Sequence, residues 1–361
     1  MTISQRRDRL RQRLADAELD AVLVSDLVNV RYLSGFTGSN AALLIRTENE
    51  TPVLATDGRY RTQAAQQAPD AEIVIERACG PHLATRAAEA GVRRLGFESH
   101  VVTVDGFAAL RKAAGEQVEM VRAAGTVEAL REVKDAGEIA LLRLACEAAD
   151  AALADLVERG GLCAGRTEKE VGRELESLML DHGADGISFE TIVATGANSA
   201  IPHHRPTDAV LAAGDFVKID FGALVCGYHS DMTRTFVLSP AAQWQFDIYD
   251  LVSAAQRAGR EALKPGASLK DVDAASRQVI ADAGYADNFG HGLGHGVGLQ
   301  IHEAPGISAS AAGTLLAGSA VTVEPGVYLP DRGGVRIEDT LVVGEAAPEL
   351  LTRFPKELAI V

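Results

Sequence analysis

The sequence has no long apolar run and only four cysteines. Across its 361 residues, no apolar segment approaches the roughly 20 residues that a membrane-spanning helix requires. The first ten residues mix charges of both signs and lack the apolar core of a signal peptide. The cysteines show no paired spacing, which argues against a disulfide framework (Cys79, Cys146, Cys163 and Cys226). We therefore expect a cytoplasmic protein.

Positive charge is also in short supply. The chain carries 35 Lys and Arg residues against 50 Asp and Glu residues, giving a formal net charge of −15 and a pI near 5.1. This balance argues against a basic track for nucleic-acid phosphates and against binding to anionic membranes. We expect neither partner, and solubility is a sufficient explanation for the acidity. A hydrophobic content of 47% can fill a sizeable core, and the length indicates two domains or one large one.

Several well-known catalytic motifs are missing. His302 and Glu303 begin a zinc-protease HExxH pattern, but the second histidine is absent. No Walker-type phosphate loop occurs. Residues 290–298 are rich in glycine, yet their histidines do not fit a dinucleotide-binding fingerprint.

Strands alternating with helices predict an α/β domain in the N-terminal part. The apolar runs predict strands at 20–24, 41–45, 52–56, 72–76 and 94–97, and helices at 4–18, 60–67, 80–90 and 104–114. Residues 30–40 are expected to form a Gly/Ser loop. A helical pattern then covers 127–159, and the domain boundary is placed at 127/128.

The C-terminal part resembles a crude duplication. A capping-box pattern from Thr167 to Glu170 predicts a helix to about residue 182. Two further helices are predicted at 246–262 and 268–283. A carboxylate-bearing hairpin is predicted on each side of these two helices, so the order of helices and hairpin occurs twice. We expect an α+β domain over 128–361.

Two pairs of acidic residues lie in β-branched, apolar sequence around turn-like segments. Asp220 and Asp231 are centred between Val225 and Cys226, and Glu324 and Glu338 are centred on Asp331. Each pair predicts a β-hairpin in which the two acids face each other, with Cβ atoms about 4.5–5.5 Å apart. Like charges so placed are destabilising unless something compensates them.

A cation would compensate. One such pair could be a solvated hairpin face, but two pairs with His295 between them, in a glycine-flanked segment, favour a metal site. Four carboxylates and one imidazole suit a pair of divalent ions.

Further histidines accompany the carboxylates. His203 and His204 lie in a loop bracketed by prolines, His291 lies four residues before His295, and His302 lies seven residues after it. The glycines around His291 and His295 allow close backbone approach and leave room for a ligand. His229, two residues before Asp231, is a possible neighbour of the site, and a bystander role is favoured for it.

At these residues the sequence resembles the pita-bread (M24-type) metallopeptidases, which include methionine aminopeptidase, aminopeptidase P and prolidase. Asp220, Asp231, His295, Glu324 and Glu338 match the family's metal ligands in order and local context, and His203, His291 and His302 match its accessory histidines. The segments YLSGFTGSN (32–40) and DGRY (57–60) are similar to the creatinase-type N-terminal domain. With NSAIPHH at 198–204, the chain is most similar to cytoplasmic bacterial Xaa-Pro dipeptidases.

The resemblance implies a creatinase-like N-terminal domain (1–127), a pita-bread catalytic domain (128–361) and a homodimer. It implies that Asp220 binds one ion, that His295 and Glu324 bind the other, and that Asp231 and Glu338 bridge both. A metal-bridging hydroxide would attack the Xaa-Pro bond of a proline-containing di- or oligopeptide. Glu324 would act as general base and acid, and His203 and His302 would donate hydrogen bonds to the oxyanion or substrate carboxylate. His291 would contact substrate, and Arg336 would orient the carboxylates.

The resemblance leaves several alternatives open. Manganese is the expected metal, and cobalt, zinc or iron could replace it. Aminopeptidase P cleaves the same bond in longer peptides, and the sequence does not separate the two activities. Methionine aminopeptidase would leave the N-terminal domain unexplained, and creatinase works without the metal set. A non-catalytic binding module would be expected to have lost ligands, and all five are present here.

Overall fold

A computed structural model describes residues 1–48 and 50–361. The chain divides into two compact units, Met1–Arg131 and Glu132–Val361. The sequence pattern places this boundary at 127/128. None of the helices in the described parts of the chain is both long and apolar enough to cross a membrane.

The first unit is an α/β domain. Its elements are α1 (Ile3–Asp16), β1 (Ala21–Val24), α2 (Leu27–Ser34), β2 (Ala41–Arg46), β3 (Val53–Thr56), α3 (Arg61–Gln67), β4 (Glu72–Ile75), α4 (Cys79–Glu89), β5 (Arg94–Phe97), α5 (Val104–Ala114), β6 (Glu119–Arg122) and α6 (Glu128–Arg131). The strands form a mixed sheet in the order β4-β3-β2-β1-β5-β6. Its apolar strands pack against the buried faces of α4 and α5, which is the layered arrangement that the alternating pattern predicts.

The Gly/Ser loop predicted for residues 30–40 is wrong over its first half. Helix α2 begins at Leu27, where the Asp26 carboxylate accepts hydrogen bonds from the Val28 and Asn29 backbone N–H groups. It ends at Gly35, whose φ of 80° stops the helix in the left-handed conformation. Strand β6 was not predicted from the sequence.

The second unit carries the carboxylate hairpins. Its elements are α7 (Ala136–Glu158), α8 (Glu168–Asp181), β7 (Gly186–Ile187), β8 (Ile192–Thr195), β9 (Phe216–Phe221), β10 (Ala223–Val225), β11 (Tyr228–His229), β12 (Met232–Val237), α9 (Gln243–Ala262), α10 (Leu269–Asp282), β13 (Gly294–Gly296), β14 (Glu303–Ile307), β15 (Ala320–Val323), β16 (Gly326–Leu329), β17 (Gly333–Arg336), β18 (Asp339–Val342) and β19 (Glu349–Leu350). The capping box predicted at Thr167 and Glu170 is confirmed.

The predicted duplication is visible in the packing of this unit. Helices α7 and α8 pack on β9 and β12 in one hydrophobic core. Helices α9 and α10 pack on β15 and β18 in a second core. Each half therefore buries the apolar face of its own hairpin, and the polar faces of both hairpins are left for the cleft described below.

The register of the first hairpin differs from the prediction. Strands β9 and β12 pair so that Asp220 lies opposite Thr233, and β10 pairs with β11 in the same register. The turn consists of Cys226 and Gly227, both with positive φ (48° and 79°), as a two-residue type I′ turn requires. The direct pairing of Asp220 with Asp231 is therefore wrong. Asp231 is displaced by two residues and stays on the same face of the strand pair.

The register of the second hairpin agrees with the prediction. Val323 pairs with Asp339, and beyond a short interruption Gly326 pairs with Arg336. Both pairs are centred on Asp331, which has a φ of 60° at the tip of the turn. This register places Glu324 opposite Glu338, just outside the ends of β15 and β18.

Candidate metal centre

A cleft of about 820 Å³ opens in the second unit between the two hairpins. All the ligand-type and accessory residues predicted from the sequence line it: Asp220, Asp231, His295, Glu324, Glu338, His203, His291, His302 and Arg336. His229 is outside this lining, and its ring Nδ1 lies 2.9 Å from the Ser188 hydroxyl. The hairpins and β13 therefore bring together side chains that are far apart in sequence.

The carboxylates of the cleft are largely withdrawn from water. Asp220, Asp231 and Glu338 are 7%, 5% and 2% exposed. Burial raises the pKa of Asp231 to about 6 and that of Glu324 to about 7, and it raises the pKa of Glu338 well above its usual value. Within the described residues, the Asp220 Oδ1 atom is buried without a hydrogen-bond partner. The protein's own groups therefore do not fully compensate the negative charge of these carboxylates.

His295 is turned so that it presents one nitrogen to these acids. Its Nδ1 lies 3.0 Å from the Gly296 carbonyl oxygen, to which only an N–H can donate. Its Nε2 lies 3.5 Å from Asp231 Oδ2 and 3.4 Å from Glu324 Oε1. Although burial disfavours the charged ring, the two carboxylates raise the pKa of His295 to about 9. A nitrogen lone pair aimed at two carboxylates requires either a proton or a cation between them.

The residues present fit a divalent-metal site. One donor atom from each of Asp231, His295 and Glu338 lies within 4.8 Å of the others. Asp220 adds an unpartnered buried oxygen, and Glu324 adds a carboxylate beside His295. Hard oxygen donors with one imidazole suit Mn²⁺, Fe²⁺, Co²⁺ or Zn²⁺. The five side chains are enough to hold two ions.

Hydroxyl groups on neighbouring strand residues orient the acids. The Thr233 hydroxyl donates to Glu338 Oε2 at 2.6 Å, and it accepts a hydrogen bond from Arg336 Nε at 3.0 Å. The Thr322 hydroxyl lies 3.1 Å from Glu324 Oε1 and accepts from the His295 backbone N–H at 3.0 Å. Neither threonine was predicted from the sequence. The available signal was that Thr322 precedes Glu324 by two residues and Thr233 follows Asp231 by two residues, which places each on the same strand face as an acid.

Arg336 links the site to the walls of the cleft. It is buried, and its Nη2 donates to Asp220 Oδ2. Its Nη1 donates to the Tyr328 hydroxyl at 2.9 Å and to the Pro202 carbonyl at 3.1 Å. The orienting contact expected for Arg336 is therefore made to Asp220.

His291 is committed to the protein through both ring nitrogens. Its Nδ1 donates to the Gly292 carbonyl at 2.8 Å, and its Nε2 accepts from the Tyr328 hydroxyl at 2.9 Å. Burial lowers the pKa of His291 to about 4, so the ring is neutral near pH 7. Both ring nitrogens therefore have hydrogen-bond partners within the protein.

His203 and His302 also line the cleft. The His302 ring packs edge-on against the His295 ring, with centroids 4.4 Å apart. Burial lowers the pKa of His302, which favours the neutral ring. His203 is exposed, in the loop that follows the 3₁₀ turn Gly196–Ala200. Apolar side chains complete the lining (Phe189, Ile192, Ile201 and Ile301), and none of them was predicted from the sequence.

Two glycines allow His295 to reach the acids. A Cβ atom on Gly294 would come within 2.1 Å of the Thr322 carbonyl oxygen, and one on Gly296 within 2.1 Å of the Ala304 carbonyl oxygen. These contacts are far shorter than any side chain permits. The close backbone approach predicted from the glycine-rich sequence is confirmed at these two positions.

Both units match known protein-family models. Residues 140–345 match Metallopeptidase family M24. Residues 6–133 match the Creatinase/Prolidase N-terminal domain.

Individual relatives resemble the chain over nearly its whole length. An Xaa-Pro dipeptidase from Pyrococcus horikoshii is 35% identical, covering 94% of this chain and 94% of that protein. A solved structure of an Xaa-Pro dipeptidase from Bacillus anthracis has a TM-score of 0.95 at 38% identity and covers 100% of both chains. An X-Pro aminopeptidase structure from Thermotoga maritima has a TM-score of 0.90 at 34% identity, covering 98% of this chain and 99% of that one.

Proposed function

The chain belongs to metallopeptidase family M24 and carries the creatinase/prolidase N-terminal domain, and from that premise we propose that it hydrolyses the Xaa-Pro peptide bond of dipeptides. The relatives named as Xaa-Pro dipeptidases support this substrate class. The observation that carries the proposal is the largely buried cluster of four carboxylates and His295 in one cleft, with an Asp220 oxygen that lacks a partner in the described structure.

Two divalent ions are proposed to occupy this cluster. Asp220 would hold one ion, His295 and Glu324 the other, and Asp231 and Glu338 would be shared. We propose manganese as the native metal, with cobalt, zinc or iron able to replace it. When bound, such ions polarise a peptide carbonyl and make water nucleophilic near neutral pH.

Glu324 is the proposed proton carrier. It lines the cleft beside His295, where a carboxylate next to the reacting water can accept a proton and return it. It takes a proton from the attacking water as the water oxygen bonds to the carbonyl carbon. It then delivers that proton to the proline nitrogen as the C–N bond breaks. Thr322 hydrogen-bonds one Glu324 oxygen and so fixes the orientation of the carboxylate.

The accessory histidines are proposed to bind the substrate. His203 and His302 would donate hydrogen bonds to the developing oxyanion or to the substrate carboxylate. His291 is assigned differently from the sequence expectation because its nitrogens already contact Gly292 and Tyr328. Through Tyr328 it would hold Arg336, and Arg336 in turn would hold Asp220.

Three further features are proposed from the resemblance to this family. The protein would act as a homodimer, and it would work in the cytoplasm. Activity on longer peptides, as in aminopeptidase P, is the second candidate function because the Thermotoga maritima structure named as an X-Pro aminopeptidase is also closely similar.

Product analysis separates these functions. Mn-loaded protein is incubated with Ala-Pro and, separately, with Ala-Pro-Ala, and free alanine is quantified. We expect alanine from the dipeptide, none from the Asp231→Asn variant, and none from parent protein without metal. Release chiefly from the tripeptide would assign the protein as an Xaa-Pro aminopeptidase. Release from neither peptide would favour a binding module without catalysis.

A further inference from the structure

The segment that carries His203 has little backbone support of its own. Ile201 N–H donates to the Asn198 carbonyl at 2.9 Å. From Pro202 to Pro206, no backbone–backbone hydrogen bond is found within the described residues. His203 itself is exposed. Something other than regular secondary structure must therefore hold this segment, residues 201–207, against the cleft.

Lys218 holds the segment on its N-terminal side. This side chain is 0% exposed, and its Nζ donates to the Ile201 carbonyl at 2.6 Å and lies 3.3 Å from the Pro202 carbonyl. The Nζ also lies 5.1 Å from the centre of the Tyr328 ring. In the described part of the chain, no carboxylate oxygen comes within 4.0 Å of this Nζ. Burying a lysine without an ion pair is unfavourable. The hydrogen bonds to the segment compensate for that cost.

Glu168 holds the segment on its C-terminal side. This fully buried carboxylate accepts from the His204 ring at 2.8 Å, and from the Thr207 backbone N–H at 2.8 Å and hydroxyl at 2.7 Å. Its other oxygen accepts from Thr195 N–H and the Asn198 amide, both at 2.9 Å. Glu168 is the first residue of α8, so it ties the segment to a long helix.

We propose that Lys218 and Glu168 are positioning residues that fix His203 for catalysis by gripping its segment from both sides. This inference rests on the proposed function, because it assigns the two residues a role through His203. Neither residue is among those that line the cleft, so any effect on the reaction is expected to be transmitted through the segment. An apolar side chain at position 218 would avoid the desolvation cost of a buried lysine. The hydrogen bonds to the segment explain why a lysine is present there.

A double-mutant cycle tests the role through His203. Lys218→Met and Glu168→Gln are each combined with His203→Asn, and kcat and KM are measured on Ala-Pro with Mn-loaded protein. We expect each single variant to lower kcat/KM about 100-fold, because displacement of a catalytic group by about 1 Å has an effect of that size. In the His203→Asn background, each substitution should cost less than about threefold.

Losses that multiply in full in the double variants would overturn the proposal, and so would parent-like kcat/KM in the single variants. Metal content is measured for every variant. If Lys218→Met lost bound manganese, the substitution would be acting on the metal ligand Asp220 and not on His203. That result would also count against the inference. Lys169→Met is the matched control: this exposed lysine pairs with Asp208 at 3.0 Å beside the same segment, and we expect parent-like kinetics.

Hydrogen exchange tests, without relying on activity, whether Lys218 and Glu168 hold the segment in place. Amides of residues 199–208 should exchange faster in Lys218→Met and Glu168→Gln than in the parent and in Lys169→Met. Unchanged exchange in both variants would refute the proposed grip. If the parent released no alanine from either peptide, the proposed function would fail, and the exchange rates would still decide whether these side chains hold the segment.

Discussion

Three of the four acids of the cleft are each held by a neighbour that restricts how they can turn. Thr233 donates to Glu338, Thr322 contacts Glu324, and Arg336 donates to Asp220. Partners of this kind set the direction in which metal ligands present their oxygens. Two of these contacts, from Thr233 to Glu338 and from Arg336 to Asp220, cross from one hairpin to the other, so each hairpin orients an acid of its neighbour.

Removing one shared carboxylate should abolish activity without unfolding the chain. In Asp231→Asn or Glu338→Gln, a neutral amide replaces a charged oxygen donor of the same size, so we expect loss of Ala-Pro hydrolysis and weaker manganese binding with an unchanged circular dichroism spectrum. Asp331→Asn, at the exposed tip of the second hairpin, is the control, because asparagine tolerates its positive φ. Full activity in either ligand variant would refute the site assignment.

The Thr233 hydroxyl should matter more for metal affinity than for folding. Thr233→Val keeps the shape but loses the bonds to Glu338 and Arg336. We expect manganese affinity to fall about 10–100-fold in a competitive chelator titration. In Thr235→Val, on the same strand face, the lost hydroxyl contacts only the Arg336 backbone among the residues that the structure describes. Equal loss of affinity in both variants would mean that the strand, not the Thr233 hydroxyl, is responsible.

At the scale of elements, the two hairpins show how far sequence symmetry predicts register. The second hairpin is symmetric about Asp331, and its register agrees with the prediction. The first is shifted because Cys226 takes a left-handed conformation beside Gly227 and moves the turn centre by one residue. A cysteine rarely adopts that conformation, so the sequence favoured the wrong centre. The shared face of the acids was still predicted, because the shift moves Asp231 by two positions.

Other features depend on tertiary contacts that no local pattern carries. Lys218 lies in an apolar strand, and its loop contacts come from residues 201 and 202. Tyr328 joins His291 to Arg336 across two strands and a loop. Helix α2 was not predicted because its capping residue, Asp26, precedes the glycine- and serine-rich stretch, which favours a loop. The ligand-type residues were easier to identify because charged groups in apolar strands are conspicuous in sequence.

Strand β13 should tolerate no side chain at Gly294. In Gly294→Ala the new methyl group would collide with the Thr322 carbonyl, so β13 must separate from β15 and carry His295 away from Asp231 and Glu324. We expect destabilisation of at least about 1–3 kcal/mol in denaturant unfolding, with reduced manganese binding. Gly290→Ala, four residues earlier, meets no atom within 4 Å and should behave like the parent. Similar losses in both variants would point to backbone entropy instead of crowding.

At the scale of the whole molecule, the second unit concentrates negative charge where its two halves meet. Each half has its own hydrophobic core, yet neither hairpin alone supplies the ligand set. Repulsion among the carboxylates therefore destabilises the folded unit as a whole, and bound ions should reduce that repulsion.

Metal should stabilise the protein more as the pH rises. Without metal, the raised pKa values of Asp231 (about 6), Glu324 (about 7) and His295 (about 9) mean that the folded state binds more protons than the unfolded state. Their contribution to stability is present at low pH and is lost as the pH rises through these values. Metal displaces the same protons, so its affinity rises.

The measurement is the Tm of manganese-loaded protein minus that of chelated protein. We expect this difference to grow by roughly 3–10 °C between about pH 6 and pH 8, since each displaced proton contributes about 1.4 kcal/mol per pH unit. Other titrating groups are common to both samples and cancel in the difference. A difference that stays constant with pH would show that these three side chains do not exchange protons for metal.

The separation of the ligands along the chain has a consequence for how the protein folds. Asp220 and Glu338 come from different hairpins, with two long helices between them. A site built from such distant residues forms only after slow, non-local pairing is complete. Ions therefore cannot act as a nucleus, as they do where ligands lie within one short loop. Bound ions should leave the refolding rate unchanged and lower the unfolding rate of the folded domain.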